Sequence, residues 1–166
     1  MVAIRSGLLA LALSVGSQAT DVTEKAVVHF ATYPGYEGDL EVKGTLEVGT
    51  TADGVALVGT LAGLEASATG GIHIHSGFTC DDADSVGGHY FDGMDSDPWT
   101  TTYTSGTTGG SSIKFDMAGF SMSEGMLPVA GRAVVVHSSD GTRVACGLIE
   151  PTDGEFVFVA LSLIHI

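Results

Sequence analysis

The chain has 166 residues, 44% of them hydrophobic and only 16% charged, which fits one folded domain with a real core and argues against disorder. Six Lys+Arg stand against 20 Asp+Glu, for a net charge of −14. A surface that acidic argues against nucleic acid and anionic membrane as partners, and it disfavours long-range attraction of any anion.

At the N-terminus, Arg5 is the only charge in residues 1–20, and residues 7–16 (GLLALALSVG) form an apolar run. Ser17 and Ala19 place small residues where a cut after Ala19 would need them. This is the pattern of a secretory signal peptide over residues 1–19, with the mature domain expected at 20–160. The run is too short for a membrane span, which needs ~20 apolar residues. The alternative is an ordinary buried N-terminal segment. Secretion permits disulfides, and two cysteines, Cys80 and Cys146, fit one bridge with no thiol left over.

Strand signals then recur along the chain, while apolar residues never repeat at helical spacing over three turns. Residues 25–31 (KAVVHFA) are β-branched and aromatic, and 40–47 (LEVKGTLE) alternate apolar with polar. Further strands are expected at 55–61, 71–75, 112–117, 132–137, 143–149 and 156–160. Asp53-Gly54, Asp140-Gly141 and Asp153-Gly154 supply turn residues between them. About eight short strands with regular turns predict an all-β antiparallel sandwich or barrel. The exception is 76–111, long and rich in Gly, Asp and Thr; a loop of that length in a compact domain is usually functional. The final residues 161–166 (LSLIHI) match what a widely used sequencing-library adaptor encodes when read in frame. They are set aside as an expected artefact; the alternative is a genuine last strand. His165 therefore carries no weight.

His73 and His75 occupy alternate positions of an expected strand, so both rings point to one face and two imidazoles can share a metal. A solvated or hydrogen-bonded pair is the alternative. His89 sits in the long loop, and His137 ends the apolar strand 132–137, where a rim site would draw its last ligand. His29 reads as a surface or core residue. Nitrogen-only ligation suits copper and zinc, and four nitrogens in a tetragonal set suit Cu(II). Asp81, Asp82 and Asp84 read as a solvated loop face, since their spacing does not fit a calcium loop. Trp99 reads as packing at the loop base. Scattered Met94, Met117, Met122 and Met126 read as packing rather than Cu(I) handling.

Four segments carry a resemblance. Gly71-Ile-His-Ile-His75 resembles Gly-Phe-His-Val-His of the copper/zinc superoxide dismutases. Ser85-Val-Gly-Gly-His-Tyr90 resembles their Ser-Ala-Gly-Pro-His-Phe. Gly131-Arg-Ala-Val-Val-Val-His137 is similar to Gly-Arg-Thr-Leu-Val-Val-His, and Arg143-Val-Ala-Cys-Gly-Leu-Ile149 to Arg-Ile-Ala-Cys-Gly-Val-Ile. The matches run in family order over roughly residues 24–150. The resemblance implies an eight-stranded antiparallel Greek-key barrel. It implies that His73, His75 and His137 bind copper, that His89 takes the place of the imidazolate bridging copper and zinc, and that Cys80 and Cys146 tie the long loop to a barrel strand. Arg143 matches the arginine that guides and binds superoxide; the alternative is a strand arginine paired with an acid.

Two departures matter. No His lies between His89 and His137, so Asp97, at the position of the family's zinc aspartate, lacks its two histidine companions. Zinc is not expected, and Asp97 becomes the candidate to hold the far nitrogen of His89, with Glu124 and Asp92 in reserve. Only residues 138–142 separate His137 from Arg143, where zinc-containing members carry a long charged loop; copper should therefore be more open to solvent. Both losses resemble the copper-only branch, which includes secreted enzymes and proteins that string several such domains together. The implied function is an extracellular antioxidant enzyme, a superoxide dismutase with one copper per domain, no membrane insertion, and room for further tandem domains after residue 160. The alternatives are a non-catalytic copper-binding or structural module of an extracellular array, and a degenerate domain that no longer admits copper.

Overall fold

A computed structural model describes residues 24–152. The signal-like segment 1–19, the expected strand at 156–160 and the tail 161–166 lie outside the described residues. Ten short strands and one helical turn follow in order: β1 (Lys25–His29), β2 (Ala31–Thr32), β3 (Lys43–Thr50), β4 (Gly54–Ala62), β5 (Thr69–Ile74), α1 (Ala83–Val86), β6 (Thr102–Thr104), β7 (Ser111–Ala118), β8 (Ala133–His137), β9 (Arg143–Leu148) and β10 (Glu150–Pro151). They form two five-stranded sheets, ordered β10-β1-β3-β4-β7 and β2-β9-β8-β5-β6, and every named pairing is antiparallel. The all-β antiparallel expectation holds, but among the described residues the two sheets do not close into the barrel that the resemblance implies.

Alternation builds the first sheet. Val28, Leu46, Val48, Val55, Leu57 and Leu61 face the core, while Glu47, Val58 and Thr60 face outward. Full burial of each such aliphatic side chain contributes ~1.5–3 kcal/mol. The second sheet is covered on both faces around β8, which explains its unbroken apolar run. Val134 and Val136 enter the main core. Ala133 and Val135 turn the other way, onto Tyr33, Val86 and Cys146. The long loop supplies that outer cover. Its Cys80 is bonded to Cys146 across 66 residues of sequence. Asp82 caps α1, accepting from the Ser85 amide at 3.1 Å and its hydroxyl at 2.6 Å.

Departures from the expected strands have local causes. The 25–31 strand breaks at buried Phe30, where the chain leaves the first sheet for the second, and Ile149 makes the reverse passage between β9 and β10. Such bends let one segment serve two sheets, so ten short strands appear where about eight were expected. β3 starts at Lys43 rather than Leu40 because its register is set from the other end. The Thr51 amide donates to the Gly54 carbonyl at 2.8 Å, Thr50 pairs with Val55, and Ala62, the last residue of β4, pairs with Lys43. The 76–111 loop is not structureless, since it holds both α1 and β6.

Candidate metal centre

Strand alternation aims the first two ligands. Ile72 and Ile74 are fully buried in the core, so His73 and His75 project from the opposite face of that segment. His75 lies one residue past β5 and bridges to His89. The Tyr90 amide donates to the Ile74 carbonyl at 2.9 Å, drawing the loop onto the strand end. His137 closes β8 at a register shift against β9 that redirects the chain. One ring nitrogen from each of His73, His75, His89 and His137 lies within 4.8 Å of the others. Among the described residues this is the one group of three or more metal-ligating side chains that converges so. Sequence reasoning named all four.

Hydrogen bonds fix which nitrogen each ring offers. His75 Nδ1 donates to the Gly87 carbonyl at 3.0 Å, and His137 Nδ1 to the Gly141 carbonyl at 3.0 Å. His89 Nδ1 donates to Asp97 Oδ2 at 2.6 Å. In their neutral form His75 and His137 therefore keep a lone pair on Nε2, and the Asp97 contact leaves His89 Nε2 as the nitrogen facing the cluster. His73 differs: its Nδ1 is buried without a partner. The Nε2 atoms of His75 and His137 face each other at 3.4 Å. With both protons committed to carbonyls, no proton remains to bridge them. Two opposed lone pairs and an orphaned nitrogen suit a shared cation, so the donor set fits a metal ion.

Electrostatics favour neutral rings. Burial, reinforced by His137 and His89, pushes His73 down to about 4. Burial pushes His75 down to about 3, against the Gly87 bond and with help from Arg143. His137 is lowered as well, again chiefly by burial. Neutral imidazole is the form that binds metal. Burial works against the ionised form of Asp97, but bonds from the Trp99 amide and His89 outweigh it and hold the carboxyl below its usual range. On the other side the centre is open, with 26% of the His89 side chain and 41% of Asp97 exposed.

The remaining assignments sort cleanly. Asp97, not Glu124 or Asp92, holds His89, and its Oδ1 accepts from the Trp99 amide at 2.8 Å. Trp99 packs in the core, with its indole N–H on the Tyr90 carbonyl at 2.7 Å. Met117 and Met122 are buried and Met94 packs partly, but Met126 is 78% exposed, so packing does not account for it. His29 is an exposed strand residue. Arg143 opens β9 and acts on the charge states of His75 and His137, so it stands beside the cluster. Its partner is not an acid: Nη1 donates to the Tyr33 hydroxyl at 2.8 Å. Sequence reasoning missed Tyr33. It also missed Arg132, which donates to the carbonyls of Ser76 (2.6 Å) and Pro128 (2.9 Å) and lies over the Tyr90 and Phe78 rings, fastening the loop. Neither partner set has a local sequence signal. Gly71 is required by close approach: a Cβ there would lie 2.6 Å from His73 Cε1.

A scan against protein-family models and a search of curated proteins returned no match. Among the described residues no helix is long and apolar enough to cross a membrane, and the Cys80–Cys146 bridge suits an oxidising compartment.

Proposed function

We propose that the chain is a secreted, copper-dependent superoxide dismutase, with one copper on His73, His75, His89 and His137 and no zinc. Its strands would follow the Greek-key connectivity of the family its motifs resemble, carried on two sheets that, among the described residues, do not close into a barrel. The observation that carries this reading is the convergence of four imidazoles, three of them kept neutral chiefly by burial, with a guanidinium beside them. Nitrogen-only ligation favours copper. Asp97 takes the Nδ1 of His89 that a bridging zinc would need, which supports a copper-only centre.

Bound copper supplies alternate one-electron transfer, so that two superoxide ions and two protons become O₂ and H₂O₂. The chain's residues do the rest. Arg143, always protonated, holds superoxide by charge-assisted hydrogen bonds. His89, on the exposed side, takes a proton at Nε2 when that nitrogen is free of metal, and Asp97 stabilises the resulting imidazolium through Nδ1–H. The carbonyls of Gly87 and Gly141 keep His75 and His137 oriented throughout.

The test loads the oxidised chain with Cu(II), counts copper and zinc, and follows superoxide decay beside Arg143→Ala. One copper, no zinc and fast decay that slows about tenfold in the variant is the expected result. A copper-binding module without turnover is the second reading, favoured by a donor set that fits a metal ion whether or not chemistry follows. Bound copper with decay no faster than free copper would select it. No bound copper would defeat both readings.

A further inference from the structure

Arg143 sits in a chain with 20 acidic residues, yet among the described residues no carboxylate pairs with it. Its recorded hydrogen bond goes to a neutral oxygen, the Tyr33 hydroxyl at 2.8 Å. That hydroxyl gives its own proton to the Ala83 carbonyl of α1 at 3.1 Å, so toward Arg143 it can only accept. The phenol is held from both ends. Its ring is buried among Val86, Val135 and Cys146, and its amide donates to the Val144 carbonyl, next to Arg143, at 3.0 Å. Arg143 and Tyr33 together line a solvent-facing cavity of about 500 Å³ with Tyr36, Thr142 and Glu37, an acid that lines the same cavity without pairing with Arg143, so a released guanidinium would be free to swing outward toward that acid.

We infer that Tyr33 is a positioning residue for the anion site: it orients the Arg143 guanidinium through a neutral acceptor, so that its full charge stays available to a small anion. The inference rests on the dismutase reading for the identity of that anion. A carboxylate in the same place would orient the fork equally well but would cancel its charge, and in a chain at −14 nothing at longer range would restore it. A phenol oxygen separates the two effects, fixing direction without neutralisation.

The test uses azide, a small monoanion, on the full chain. In the metal-free protein, azide binding is read at the Arg143 Nε–H signal by NMR in wild type and Tyr33→Phe. In the Cu(II)-loaded protein it is read from the visible spectrum across wild type, Tyr33→Phe, Arg143→Ala and the double variant, with thermal midpoints as the folding control. Tyr33→Phe should weaken azide about three- to tenfold, the scale of one ordinary net hydrogen bond, because the lost bond acts on azide only through Arg143. In the Arg143→Ala background it should change nothing, because Tyr33 acts only through Arg143. Unchanged affinity in Tyr33→Phe, or an equal loss with and without Arg143, would overturn the inference. Coupled azide binding in a chain that clears superoxide no faster than free copper would sink the dismutase reading and leave the tether standing. Rapid clearance without coupling would do the opposite.

Discussion

The 2.6 Å contact between His89 Nδ1 and Asp97 is the shortest tie in the site, and it concerns a ring whose side chain is 26% exposed. A carboxylate behind a ligating imidazole fixes its tautomer and raises its basicity, and losing one typically costs 10–100-fold in metal affinity. Asp97→Ala should therefore weaken copper by about that factor, read by competition with a chelator; wild-type affinity would remove Asp97 from the centre. The buried rings give a second expectation, for the metal-free chain. His73 and His75 sit at about 4 and about 3, against 6.5 for an ordinary His. Between those limits the unfolded chain binds protons that the folded chain refuses. Unfolding free energy should then rise with pH through this window and fall as pH drops from about 6.5 toward 4. Urea melts at several pH values measure the slope, and His75→Gln should flatten it. An equal slope in that variant would place the dependence elsewhere.

At the scale of elements, the short turn 138–142 is the piece that the sequence shows but does not explain. It links His137 to Arg143, and its Gly141 carbonyl orients His137. What steadies it comes from another part of the chain: Glu65, between β4 and β5, accepts from the Ser139 amide at 2.6 Å and its hydroxyl at 2.9 Å. Glu65→Ala should lower stability by about 1 kcal/mol, the net worth of such bonds at a partly exposed position. It should also speed hydrogen exchange at the Ser138 and Gly141 amides, which close the turn. Exchange as slow as in wild type would mean that the turn holds itself. Glu65 also illustrates where sequence reading stops. Alternation made β3 legible, apolar β-rich runs between turn residues made β4, β7, β8 and β9 legible, and spacing plus motif made all four histidines legible. β6 is three residues long and α1 a single turn, too short for any periodicity to register. The passages at Phe30 and Ile149 depend on which sheet offers a free edge. Glu65 and Ser139 are 74 residues apart, and Tyr33 and Arg143 110 apart. Such pairs are products of the fold, so no local pattern announces them.

For the whole molecule, the net charge of −14 and the Arg143 guanidinium act on an approaching anion at different ranges. Screening lengths fall from ~30 Å at 0.01 M salt to ~8 Å at 0.15 M. Acids spread over the surface act across most of the former distance, whereas Arg143 acts at contact, inside the latter. Added salt should thus remove repulsion faster than it removes attraction. If the chain dismutes superoxide as proposed, its rate constant should rise with ionic strength over this range, measured by pulse radiolysis. The rise should be larger still in Arg143→Ala, where only repulsion is left to screen. A rate that falls with salt in the wild-type chain would mean that the local positive field outweighs the acidic surface even at long range. Guidance would then be a property of the site rather than of the molecule's overall charge. Either slope also bears on Tyr33: a guanidinium held in place exerts its field from a fixed point, so freeing it by Tyr33→Phe should weaken the contact attraction and move the salt profile toward that of Arg143→Ala.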